Sequence, residues 1–139
     1  MGTKIRYGVF ETNSSSCHSM TLSTDTNVLM DTLPVKDGRF EYDCWYEDYC
    51  SNGLLEGVYD KLNYLVIYAH TCGGLETLQK VIAKQLGINQ NDVVLTANMG
   101  ECSIDHESVG NFSEVFESES LLRNVLFHPK ATILCEYDG

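Results

Sequence analysis

Leu54-Leu55-Glu56-Gly57-Val58-Tyr59-Asp60-Lys61-Leu62-Asn63-Tyr64-Leu65-Val66-Ile67-Tyr68-Ala69-His70 is the stretch that decides the fold. Leu54, Leu55, Val58, Leu62, Leu65, Val66 and Ala69 recur at spacings of three and four residues, the period of a helix that buries one face. Asn52 stands where a helix cap belongs, and Gly73-Gly74 stops the run. Leu75 to Leu86 repeats the pattern through Leu78, Val81, Ile82 and Leu86, with Gly87 placed to terminate it. Two amphipathic helices in succession need a surface on which to bury their apolar faces.

The flanking sequence supplies strands. Lys4 to Glu11 alternates loosely through Ile5, Tyr7 and Val9. After a polar break, His18, Met20 and Leu22 fall on one face and Cys17, Ser19 and Thr21 on the other. Paired as a hairpin, the two runs place His18 near the connecting loop, on the same face as Met20. Asp25 to Pro34 reads as irregular, with one helical turn around Val28 to Met30. The turn Lys36-Asp37-Gly38-Arg39 leads into a strand at Phe40 to Asp43. Asp92 to Thr96 and Ala131 to Tyr137 are further strands. Ser113 or Ser118 can cap a third helix that runs through Leu126, buries Phe116, Leu121, Leu122 and Val125, and ends before Pro129. The expectation is one α+β domain over residues 1–139, a small mixed or antiparallel sheet packed by two or three helices.

Composition agrees. With 43% hydrophobic, 21% charged and 10% aromatic residues in 139 positions, the chain has enough apolar mass for its own core and folds alone or as a small oligomer such as a homodimer. No signal peptide or membrane span is expected, since no long apolar run follows Lys4 and Arg6. The six cysteines, at 17, 44, 50, 72, 102 and 135, lack the paired short spacings of a zinc ribbon or redox motif. Without an export signal they read as reduced thiols, mostly buried. His128 before Pro129 reads as solvent-facing, and His70 as a helix-end residue that meets backbone carbonyls.

The net charge is −11. Phe40 to Asp60 holds Glu41, Asp43, Glu47, Asp48, Glu56 and Asp60, and Gln85 to Leu122 holds Asp92, Glu101, Asp105, Glu107, Glu114, Glu117 and Glu119. Neither stretch contains a lysine or arginine, yet together they carry thirteen of the twenty carboxylates. Such imbalance repels nucleic acid and attracts basic surfaces. Trp45, Tyr46 and Tyr49 interleave the first stretch, and aromatic side chains of this kind are enriched at binding hot spots.

One further segment is locally unusual. Val9 to Met20 runs from an apolar entry into Asn13-Ser14-Ser15-Ser16 and then Cys17-His18. The polar block reads as a tight loop whose hydroxyls and N–H groups can hold a phosphate, although it lacks the glycines and lysine of the known phosphate loops. Cys17 beside His18 points to the opposite face of a strand, so the imidazole is poorly placed to activate that thiol.

Phe10-Glu11-Thr12-Asn13-Ser14-Ser15-Ser16-Cys17-His18-Ser19, then Asp60-Lys61-Leu62-Asn63-Tyr64-Leu65, then Ile104-Asp105-His106-Glu107-Ser108 together resemble motifs of a group of small bacteriophage and prophage proteins. The resemblance spans most of the chain. It implies phage or mobile-element origin, and with it the cytoplasm of a bacterial host, but brings no activity.

Two functions compete. In the first, the chain is an acidic interaction protein that occupies the basic groove of a host nucleic-acid-binding defence enzyme, in the manner of an anti-CRISPR inhibitor. Glu41, Asp43, Trp45, Tyr46, Glu47, Asp48, Glu114, Glu117 and Glu119 would form the contact surface, with no cofactor, no metal, no membrane and no direct contact with nucleic acid. In the second, Asn13 to Ser16 join His18, Asp105 and His106 in a nucleotide-binding protein or metal-dependent hydrolase, the imidazoles and carboxylate acting as ligands or as acid and base. That reading requires two histidines 88 residues apart to meet.

Overall fold

The structure is a computed structural model, and it describes residues 4–8, 16–44, 53–97 and 112–137. In chain order the strands are β1 (Lys4–Gly8), β2 (Ser16–Ser23), β3 (Phe40–Cys44), β4 (Leu54–Leu55), β5 (Val93–Ala97) and β6 (Thr132–Tyr137). The helices are α1 (Val58–Cys72), α2 (Leu75–Leu86), α3 (Phe112–Phe116) and α4 (Glu119–Phe127), with a 3-10 turn at Gln90–Asp92. This is the expected α+β class, with the strands divided between two sheets.

The larger sheet is antiparallel in the order β1-β2-β6-β4, and β1 pairs with β2 as the hairpin anticipated from alternation. Tyr7, Met20, Ile133 and Leu55 form one cross-strand row through all four strands. Met20, Leu55 and Ile133 are buried, so the row marks the core side. The smaller sheet is the parallel pair β3-β5, Phe40 opposite Val93 and Cys44 opposite Ala97.

Helix α1 connects the sheets. It begins at Val58, not Leu54, because Leu54 and Leu55 pair with Leu134 and Ile133 of β6. Gly57, extended at φ −75° and ψ 153°, takes the cap position, while Asn52 lies outside the described residues. The anticipated one-sided burial gives way to a helix enclosed all round, since every residue from Lys61 to Ala69 is buried. Gly73 and Gly74, both at φ +100°, then reverse the chain. At Gly74 a Cβ would lie 2.4 Å from Phe116 Cδ1, so that position accepts neither the side chain nor its backbone strain.

Helix α2 ends at Gly87 in the left-handed region, as its sequence predicts. The third helix divides into α3 and α4, with Ser118 Oγ accepting from the Leu121 N–H at 3.3 Å. No helical turn forms around Val28 to Met30. Cys44 and Cys72 retain thiols, whereas Cys135 is disulfide-bonded, contrary to the expectation of reduced thiols throughout. Spacing along the chain does not report which cysteines tertiary packing brings together.

Candidate functional site

Three polar side chains in one turn of α1 are enclosed by the core, and each is satisfied by a different element. Lys61, 0% exposed, donates from Nζ to the carbonyl oxygens of His128 at 3.0 Å and Ala131 at 2.9 Å. Asn63 Oδ1 accepts from the Tyr42 hydroxyl of β3 at 3.0 Å. Tyr64 Oη shares a 2.6 Å hydrogen bond with His18 Nδ1 of β2, and the two rings meet edge to face. Paired polar groups cost little to bury, and removing either partner leaves the other in the core. The Asp60-Lys61-Leu62-Asn63-Tyr64-Leu65 segment therefore pins α1 to both sheets and to the turn before β6.

Burial has electrostatic consequences here. Desolvation, opposed in part by Asp31, lowers the Lys61 ammonium from 10.5 to about 8. Desolvation likewise raises the Tyr68 phenol from 10.0 to about 12. His18 is 2% exposed, so its imidazole is a buried post between β2 and α1. His128 is buried rather than solvent-facing. Its Nδ1 accepts from the Lys130 N–H at 3.1 Å, which leaves the proton on Nε2, 2.7 Å from the Asp25 carbonyl oxygen. His70 meets a carbonyl, as expected of a helix end, but the acceptor is Leu95 of β5, at 3.1 Å.

The other sequence-predicted residues divide by position. Asn13, Ser14 and Ser15 lie outside the described residues, as do Trp45, Tyr46, Glu47, Asp48, Asp105 and His106; Ser16 opens β2. Among the described residues no group of three or more His, Cys, Asp or Glu side chains could hold a metal ion. Glu41, Asp43, Glu114, Glu117 and Glu119 are all exposed. Glu41 pairs with Arg39 at 3.2 Å and Glu119 with Lys84 at 2.6 Å, while Asp43 accepts from the Thr96 hydroxyl at 2.9 Å. Exposed pairs of this kind hold their partners weakly, which leaves the carboxylates available to an incoming cation.

What joins the acidic stretches is the parallel pair. Strands that run in parallel release their chains at the same end. Cys44 and Ala97 are register partners, so residues 45–52 and 98–111 both depart from one end of the β3-β5 sheet. These segments contain Glu47, Asp48, Glu101, Asp105 and Glu107 and no lysine or arginine. Their shared point of departure follows from the strand pairing, which the sequence alone did not reveal.

Comparison of the chain with protein-family models, curated proteins and solved structures finds no match. Among the described residues, no helix is long and apolar enough to cross a membrane.

Proposed function

We propose that this chain is an acidic binding protein of bacteriophage type that docks on the basic groove of a host nucleic-acid-binding defence enzyme and keeps nucleic acid out of it. The observation that carries this reading is the register of β3 and β5, which starts both basic-free segments from the same end of one sheet. Asp43, exposed one residue before that end, adds a further carboxylate on β3. A net charge of −11 extends the attraction beyond contact distance, so association is fast at low ionic strength and slows as salt rises.

Support also comes from rigidity. The nine consecutive buried residues of α1, with its ties from Asn63 to Tyr42 of β3 and from His70 to the Leu95 carbonyl of β5, fix the base from which the acidic segments depart. A pre-organised base reduces the ordering cost of binding. The partner is recognised by lysine- and arginine-lined concavity, with Trp45, Tyr46 and Tyr49 available as aromatic contacts.

The test is displacement of fluorescent DNA from purified host defence nucleases, CRISPR effectors among them, as the protein is added at 50 and 200 mM salt. The reading predicts displacement from at least one enzyme, with affinity lower by about tenfold or more at the higher salt. Displacement indifferent to salt, or none from any enzyme tested, contradicts it.

A further inference from the structure

A cavity of about 540 Å³ opens beside the start of β3, remote in register from the end that releases the acidic segments. Its walls include Pro34, Lys36, Arg39, Glu41, Tyr42 and Tyr59. Two features of this lining have no counterpart elsewhere in the sites described above.

The first is a fixed pair of like charges. Lys36 and Arg39 are antiparallel bridge partners, each backbone N–H donating to the other's carbonyl at 2.9 and 3.0 Å. Asp37 and Gly38 between them both have positive φ, the signature of the tightest hairpin turn. Directly opposed residues project to the same side of a hairpin, with Cα atoms about 5.5 Å apart, and like charges so placed repel. The turn thus holds two cations together that would separate if the chain were free. Glu41 lies 3.2 Å from Arg39 in an exposed and exchangeable pair, and Asp37, in the turn itself, adds a second carboxylate to the lining.

The second is an aromatic platform. Tyr42 turns its hydroxyl inward to Asn63, and its ring stands 6.4 Å from that of Tyr59, tilted by 33°. Tyr59 is 46% exposed. The spacing is too close to admit a third ring between the two, so a planar ligand would stack on the outside of the platform. Base-on-aromatic stacking contributes about 1–3 kcal/mol, or about five- to 150-fold in affinity.

We infer that this cavity is a binding site for a mononucleotide, the base resting on Tyr59 and Tyr42 and the phosphate bridging Lys36 and Arg39 after displacing Glu41. The volume lies within the range of small-ligand pockets, and the mixture of an apolar floor with a few convergent polar groups is their usual composition. The site shares Glu41 with the carboxylates assigned to the acidic surface but lies at the opposite end of β3 from the segments that carry the docking proposal, and it stands or falls without that proposal.

Calorimetric titration of the full chain with adenosine monophosphate, adenosine and inorganic phosphate tests the assignment. Adenosine monophosphate binds, and adenosine and phosphate each bind at least tenfold more weakly. Tyr59→Ala and Arg39→Ala each weaken adenosine monophosphate binding about tenfold, with unchanged circular dichroism as the check on folding. Glu41→Gln tightens it, a sign that loss of a merely structural ion pair would not produce. Absence of heat at millimolar nucleotide, inorganic phosphate binding as tightly as the nucleotide, or weaker binding by Glu41→Gln would each overturn the assignment.

Discussion

A Lys61→Met substitution, followed by urea unfolding between pH 7 and pH 10, isolates the buried cation of α1. In the native state the ammonium is held at about 8 by desolvation, against 10.5 for the unfolded chain. Above pH 8 the folded protein therefore releases a proton that the unfolded chain retains, and stability rises with pH because the unfolded state binds more protons. Integrated from pH 7 to pH 10, a displacement of this size amounts to about 2–3 kcal/mol. For a urea slope of about 1–3 kcal/mol per molar, that moves the midpoint upward by about 0.7–3 M. Methionine preserves the stem but orphans the carbonyls of His128 and Ala131, at about 1–3 kcal/mol each, so the variant is less stable than the parent. The decisive quantity is the gap between the two proteins, which should widen by about 2–3 kcal/mol across the window. A gap of constant width would refute the reasoning.

The rise does not continue indefinitely. Because burial lifts the Tyr68 phenol from 10.0 to about 12, its contribution is complete below pH 10 and is lost as pH climbs through 12, so the stability curve turns over near pH 10 and Tyr68→Phe flattens the descent. Gly74→Ala meets both φ +100° and the Phe116 ring, and urea unfolding should show a loss of more than about 2 kcal/mol. Ser118→Ala removes the side-chain cap of α4 and lowers stability by about 1 kcal/mol in the same assay. Lys130 pairs with Asp25 and is the chief reason that this carboxyl lies below the usual range; Lys130→Ala should raise the Asp25 titration midpoint, measured by NMR.

Periodicity carried much of the architecture. The hairpin of β1 and β2, both glycine-terminated helices and the Ser118 cap follow from local chemistry, and local chemistry is written in neighbouring residues. The limits of α1 were not legible, because Leu54 and Leu55 satisfy a helical period equally well as a strand that finds β6 eighty residues away. His128 misled for a related reason. Asp25 is 103 residues away in sequence, and only the tertiary structure supplies the carbonyl that the His128 ring requires. Lys61 and Asn63 gave one unused signal: polar residues embedded among leucine, tyrosine and valine in a helix that has no polar side. The cation pair of Lys36 and Arg39 gave another, since Asp-Gly between them already implies a tight hairpin that sets them opposite each other. The parallel pairing of β3 with β5 had no sequence signature, and the case for a shared acidic origin depends on it.

That case is tested most directly by charge reversal at matched numbers of sites. Glu47→Lys with Asp48→Lys alters a segment leaving the Cys44 and Ala97 end, whereas Glu76→Lys with Asp92→Lys makes the same change in net charge away from it, Asp92 preceding the opposite end of β5. Displacement of DNA from a nuclease that the parent protein inhibits is the readout. The account predicts that the first pair abolishes displacement and flattens its salt dependence while the second leaves both nearly intact; equal losses from the two pairs would contradict it.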